Sequence, residues 1–373
     1  MKITRNFGFI SILVVAFTLA IILGFLLPIE SYSQFPYLSN VPPENQGNKT
    51  VVGINNNIST SPIAGNLVQK NSGVNNGVSN NNNNNNKVAI LTFGDGFKSQ
   101  YLYAKPILDK YGFKGNFFIT CNFVGSENSR MNWQDIETLH NQGHDIGSKT
   151  VTYKNLNQLS ANALNFEVGQ SKQCLQAHGI NATVFATPQG IGWDNATVIN
   201  TIAKYYDFAI NGFSNLMYLH CDGWKRYSSQ TDCRTYFDNG TLTYANRYSI
   251  KEWSHRHIEG SQFSSNHSCL TNCYFYDNSQ MLEKFIVEVN SQIKFNNNNN
   301  SNIKNGTVIN AIPIIAYHNF VLSPDMTYNN QPTATNVSLF DQEMKYLHDN
   351  GFKVLTMADI GYDDKSNYIY IKR

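Results

Sequence analysis

The stretch VAILTFGDG, residues 88–96, decides how the chain is read. Residues 88–93 are apolar or β-branched without alternation, the pattern of a strand buried on both faces, and Gly94, Asp95 and Gly96 turn it into a loop. Such a strand belongs to a parallel sheet covered by helices. Working outward, the same alternation recurs. Residues 101–111 have helical spacing and stop at Gly112; 116–120 read as a second strand, 133–141 as a helix before Gly143, and 144–146 as a third strand. Ser160 caps a helix reaching His178, with Gly179 as its stop signal. A strand at 183–186, a helix around 198–205 and a strand at 207–210 follow, then a helix at 280–294, a strand at 312–317, a helix at 340–350 and a strand at 354–356. Repeated β-α units imply an α/β fold, a parallel sheet closed into a distorted or incomplete (β/α) barrel, with functional residues on loops at the C-terminal strand ends. Residues from about 212 to 277 fit no β-α pattern and read as an irregular, cysteine-containing insert able to cover one barrel mouth.

The flanks set the context. Lys2 and Arg5 precede an apolar run at residues 7–27, so residues 1–30 read as a signal peptide or an N-terminal membrane anchor, with Ser31 and Ser33 as small residues for a cleavage site. The remainder is then expected outside the cytoplasm, secreted or anchored in the cell envelope. Residues 31–86 form an Asn-rich linker, residues 87–373 the folded domain, and the Asn tract at 296–300 an exposed loop. The chain is 41% hydrophobic, enough for a real core, and a net charge of +2 with 14% charged residues excludes an electrostatic footprint for nucleic acid. Six cysteines allow fifteen pairings. Proximity in sequence favours Cys221 with Cys233 and Cys269 with Cys273, leaving Cys121 with Cys174; the absence of any C-x-x-C pair argues against a zinc knuckle. Asn-x-Ser/Thr sites at Asn48, Asn57, Asn181, Asn195, Asn239, Asn266, Asn299, Asn305 and Asn336 suit an exported, glycosylated surface.

Four loops at expected strand ends carry the chemistry. They are Thr92-Phe93-Gly94-Asp95-Gly96; Gly143-His144-Asp145-Ile146-Gly147-Ser148-Lys149-Thr150-Val151-Thr152-Tyr153, followed by Leu156; Ala186-Thr187-Pro188-Gln189-Gly190; and Ile314-Ile315-Ala316-Tyr317-His318. In this order they resemble the motifs of the polysaccharide deacetylase family (the NodB homology domain of chitin and peptidoglycan deacetylases): T-F-D-D-G, then G-H-E-I-G-N-H-T-x-T-H, R-x-P-x-G, and an apolar strand ending in Tyr-His. The resemblance covers about residues 87–373. It implies hydrolysis of acetyl C–N (amide) bonds of amino sugars, with a divalent metal such as zinc held by the second Asp of the first motif and the two His of the second. That metal polarises the carbonyl and activates a water, the first Asp serves as base, and the last His donates a proton to the leaving amine.

Carried over residue by residue, Asp95 stands at the metal ligand's place and His318 at the acid's. Gly94 replaces the base, Lys149 and Tyr153 replace the two imidazoles, and Ala186 replaces the arginine. One carboxylate does not make a three-ligand zinc site, and losing the base alone forfeits a factor of about 10² to 10⁴. An ammonium from Lys149 is expected to pair with Asp95 and neutralise it in the metal's stead. No cofactor is expected, a divalent metal entering only if the altered site still binds one. The pocket is assigned Gly94, Asp95, Lys149, Tyr153, Pro188, Tyr317 and His318, while His144 reads as a core histidine. In the insert, His220, Asp222, His255, His257 and His267 make a metal site only as the lesser reading, and Trp224, Tyr227 and Trp253 read as insert core before a sugar-stacking platform. The function expected is that of an extracytoplasmic protein acting on or binding cell-envelope polysaccharide, with a non-catalytic role favoured. Alternatives are an active hydrolase with altered metal ligation and a scaffold whose insert captures a protein partner. The partners expected are an envelope glycan and, through the N-terminal segment, the membrane.

Overall fold

Seven parallel strands close into a barrel in the computed structural model, which describes residues 87–192, 194–213, 216–219, 245–259, 262–263, 269–296, 309, 311–322, 333–363 and 368–372. They are β1 (Val88–Phe93), β2 (Asn116–Ile119), β3 (Asp145–Ser148), β4 (Val184–Ala186), β5 (Phe208–Phe213), β6 (Ile250–Ser254) and β7 (Ile314–Tyr317). Each pairs in parallel with the next, and β7 returns to β1 with Ile90 opposite Ile314 and Phe93 opposite Tyr317. The closure is distorted at one seam. There β2 pairs with the C-terminal half of β1 alone, while β8 (Lys353–Leu355) pairs with Val88, Ala89 and Ile90. The expected α/β barrel is thus the observed one.

Side chains alternate between two cores, as strand geometry requires. Val88, Ile90, Phe118, Val184, Ala186, Ile210, Ile250 and Ile314 pack together inside the barrel. Leu91, Phe93, Phe117, Ile146, Phe185, Ala209, Ile315 and Tyr317 face the surrounding helices. Gly147 of β3 is needed at the inner layer, because a Cβ there would sit 2.4 Å from the ring of Phe118. The helices that cover the outer core include α1 (Lys105–Tyr111), α2 (Trp133–Asn141), α3 (Ala161–Asn165), α4 (Ser171–Gln176), α5 (Asn278–Asn290) and α6 (Val337–Asp349), with the helix Ala196–Ile202 falling between α4 and α5 in sequence. Their starts follow the sequence: Asn132 and Asp277 make reciprocal capping boxes, and Ser160 caps α3.

Two sequence expectations need correction. The supposed insert is interrupted by β6, a full member of the barrel whose charged residues Lys251 and Glu252 concealed it. Lys251 is buried, with Nζ donating to Asn211 O and Ser249 Oγ at 3.2 Å each. Asn296, assigned to an exposed loop, is instead buried, its Nδ2 donating to Ala311 O and its Oδ1 accepting from Ala311 N, both at 3.0 Å. Cys121 and Cys174 are joined by a disulfide, as expected, and Cys273 is disulfide-bonded too. Cys221, Cys233 and the side chain of Cys269, the segment at residues 1–86, and His220, Asp222, Trp224, Tyr227 and His267 lie outside the described residues. Among the described residues no helix is long and apolar enough to cross a membrane, and the apolar run at 7–27 is not among them.

Candidate functional site at the barrel mouth

Inner positions at the C-terminal ends of the strands converge on Asp95. Gly94 N continues the β1–β7 ladder to Tyr317 O at 2.9 Å, and the chain then turns through Asp95 at φ 74°. Arg130 Nη1 donates to Asp95 O at 2.8 Å, which holds that turn. Lys149, one step past β3 and on its inward parity, reaches across so that Nζ stands 2.8 Å from Asp95 Oδ1. The ion pair expected from the sequence is therefore formed. Both side chains are nearly sealed, 8% exposed for Lys149 and 11% for Asp95. His318, beyond β7, places Nε2 4.0 Å from Asp95 Oδ2. Tyr153 lies beside the pair, with Lys149 Nζ 5.4 Å from its ring centroid.

Electrostatics make this a self-neutralised centre. Burial opposes the charge on Asp95, yet Lys149, aided by His318 and Arg130, holds its carboxyl below the usual value. Burial likewise opposes the charge on Lys149, and Asp95 outweighs it, so the ammonium is held above its usual value. Both partners are thus charged at neutral pH. Burial raises the Tyr153 hydroxyl, which stays protonated.

Sequence reasoning missed Glu252. It projects inward from β6, where Oε2 accepts from Thr92 Oγ1 of β1 at 2.8 Å. Burial pushes its carboxyl up, with Lys149 and the Thr92 hydrogen bond only partly offsetting that. The signal was available in the alternation of Ile250, Glu252 and Ser254 against Lys251 and Trp253, but two adjacent charges masked it.

Of the other assigned residues, Tyr317 lies away from the mouth. Tyr317 points out of the barrel into the helix-facing core and is not a pocket residue; its hydroxyl donates to Glu343 Oε2 at 2.8 Å. Strand parity explains this, since Ala316 and His318 take the inner side. Pro188 is buried and opens the turn after β4, followed by Gln189 at φ 59°. His144 is a core residue: its Nδ1 accepts from Gly115 N at 3.1 Å, and burial lowers its pKa to about 4. His255 Nε2 is 2.7 Å from Glu343 Oε1 and His257 Nδ1 is 2.9 Å from Tyr276 O, so both are engaged in packing rather than gathered for a metal. Among the described residues no group of three or more His, Cys, Asp and Glu side chains is placed to hold a metal ion.

Comparison with known proteins agrees with the motifs. Residues 81–208 match the family model described as polysaccharide deacetylase. This segment is similar to the polysaccharide deacetylase family. Gellan lyase of a Bacillus species is 30% identical over 118 residues, 31% of this chain and 4% of that protein. YxkH of Bacillus subtilis (strain 168), named for polysaccharide deacetylase activity, is 29% identical over 87 residues, 23% of this chain and 31% of that one. The chain thus spans less than a third of either curated relative. Among solved structures, the family 4 carbohydrate esterase from Streptomyces lividans, in complex with acetate, is 12% identical over 77% of this chain and 99% of that one, with a TM-score of 0.40.

A metal of the kind this family implies does not fit these residues. The ammonium of Lys149 already contacts the one retained ligand oxygen, and a Cβ on Gly94, where the base would begin, would stand 3.0 Å from the same Nζ. A fixed cation 2.8 Å from Asp95 repels a divalent ion entering the same site.

Proposed function

We propose that this protein is an extracytoplasmic, polysaccharide deacetylase-type protein that binds envelope carbohydrate at the barrel mouth without metal-dependent hydrolysis. The observation that carries the reading is the position of Lys149 Nζ, 2.8 Å from Asp95 Oδ1. A tethered ammonium balances the carboxylate as a metal would, but it holds no water to activate and offers no open coordination position. With Gly94 in place of a carboxylate, no base stands beside Asp95 on β1. The remaining groups suit recognition. His318, Glu252 and the Tyr153 hydroxyl offer donors and acceptors for sugar hydroxyl and acetamido groups, and Tyr153 is half-buried. The Cys121–Cys174 disulfide supports an oxidising compartment, as do the apolar run at residues 7–27 and the linker behind it.

The purified chain is expected to bind N-acetylated chito-oligosaccharide with no stoichiometric divalent metal by elemental analysis and no acetate release. A second reading, an active hydrolase with altered ligation, draws on His318, which keeps an imidazole 4.0 Å from Asp95. Acetate release that disappears in His318→Ala, or zinc retained through Asp95, overturns the binding reading in favour of that one.

A further inference from the structure

Two helices of the barrel open or continue through a π-turn, a rare local form that recurs at functional sites. One is Gln100–Ala104, leading into α1; the other is Phe166–Gln170, between α3 and α4. Each presents one buried polar side chain to the pocket loops. Gln100, fully buried, donates from Nε2 to Gly94 O at 2.6 Å and to His318 O at 2.9 Å, and so ties the loop after β1 to the loop after β7. Glu167, 2% exposed, accepts at Oε2 from Val151 N at 3.0 Å and Thr152 N at 2.8 Å, while Oε1 accepts from Thr152 Oγ1. Those two residues lie directly between Lys149 and Tyr153.

The loop held by Glu167 is not one that would rest in this shape alone. Thr150 at φ 70° and Tyr153 at φ 63° both occupy the left-handed region, and a β-branched residue there is a true outlier. Such conformations persist when surrounding structure over-determines them. Glu167 supplies that constraint from below. From the side, Thr120 Oγ1 donates to Lys149 O at 2.9 Å, and Cys121 N and Asn122 N donate to Thr150 O and Val151 O at 3.2 and 2.9 Å. Cys121 is in turn bonded to Cys174 of α4, in the same helical run as Glu167. A carboxylate taken from water must be fully satisfied to be tolerated, and here the partners that satisfy Glu167 come from the pocket loop.

We propose that Gln100 and Glu167 are positioning residues of the pocket, Gln100 fixing Gly94 and His318 and Glu167 fixing Lys149 and Tyr153 against Asp95. The proposal rests on the reading of the barrel mouth as a ligand site, but its test does not depend on a ligand. Lys149 is labelled with limiting amine-acylating reagent in the full chain and quantified by peptide mass spectrometry, with the 61% exposed Lys345 as internal reference. Glu167→Gln is expected to raise labelling of Lys149 by at least about tenfold, the change expected when loss of a charge-assisted hydrogen bond eases local opening. Lys345 labelling and circular dichroism stay as in the wild type. If Glu167→Gln does not fold, Thr152→Val, which removes one hydroxyl donor, is expected to raise labelling in the same direction. Unchanged Lys149 labelling in the folded variant overturns the proposal. Raised labelling in a chain whose wild type binds no chito-oligosaccharide upholds it and removes the carbohydrate reading instead.

Discussion

Replacing Lys149 by methionine keeps most of the side-chain volume and removes the charge that balances Asp95. At 2.8 Å and an effective dielectric near 20, the gross attraction between the two is about 6 kcal/mol. Desolvation of both groups offsets much of this in the intact pair, but the cost reappears once one partner is gone, and breaking a buried pair costs about 3–5 kcal/mol. His318 and Arg130 still favour the Asp95 carboxylate, which places Lys149→Met at the lower end, about 3 kcal/mol. The sign with pH is specific. Without Lys149, only His318 and Arg130 oppose burial, so the folded-state pKa of Asp95 is expected to rise from its held-down position; the deficit is then full at neutral pH and fades as pH falls through the variant's own pKa. Chemical denaturation followed by tryptophan fluorescence at pH 7 and pH 4.5 measures both effects. Asp95→Asn combined with Lys149→Met is expected to recover stability to within about 1 kcal/mol of the wild type, because no buried charge remains. A single variant within about 0.5 kcal/mol of the wild type at pH 7 refutes the reasoning, since that is the scale of a solvent-screened surface pair.

Introducing Gly94→Asp, Lys149→His and Tyr153→His together supplies the residues that the polysaccharide deacetylase motifs carry, and the variant is expected to retain about one zinc per chain after dialysis, as measured by elemental analysis, where the wild type retains none. Glu288 of α5 is buried with its carboxyl pushed up to about 7 by burial, Lys284 offsetting this in part. Its folded pKa exceeds the usual 4.5, so stability is full below about pH 4.5, falls as pH rises toward 7 by about 3 kcal/mol, and levels off above it; Glu288→Gln is expected to flatten that slope in denaturation curves between pH 4.5 and 8. In a host that adds N-linked glycans, glycopeptide mass spectrometry is expected to find Asn181 occupied, since it is exposed at the foot of β4, away from the mouth. Asn195 and Asn336 are expected bare in the folded protein, because each side chain caps a helix through two backbone amides.

Much of the architecture was legible because its cause is local. The unbroken apolar run at 88–93 and the glycine-punctuated helices between strands give parallel β-α units, and those units leave little choice but a barrel or an open sheet. Asp95 and His318 fall at strand ends by the same logic, and the Lys149–Asp95 pair followed from the motif resemblance, which set Lys149 at the place of a metal-ligating imidazole. What escaped was whatever depends on partners distant in sequence. β6 looked unlike a strand because Lys251 and Glu252 carry charges, tolerable there only through Asn211, Ser249 and Thr92. Tyr317 was placed in the pocket beside His318, yet adjacent residues of a strand face opposite ways, and Glu343 on α6 takes its hydroxyl.

The division follows from range. Sequence by itself determined the order and type of the barrel's strands other than β6, the cysteine at each end of the Cys121–Cys174 bridge, and the presence of an ammonium-bearing residue at the strand end after β3, because hydrophobic period and side-chain chemistry are carried within a few residues. Tertiary structure alone decided which side chains meet at the mouth: Glu252 from β6, Gln100 and Glu167 from two π-turns, and the left-handed loop that brings Lys149 to Asp95. A buried polar group is held by partners that close only when the chain folds, and no local pattern names them in advance.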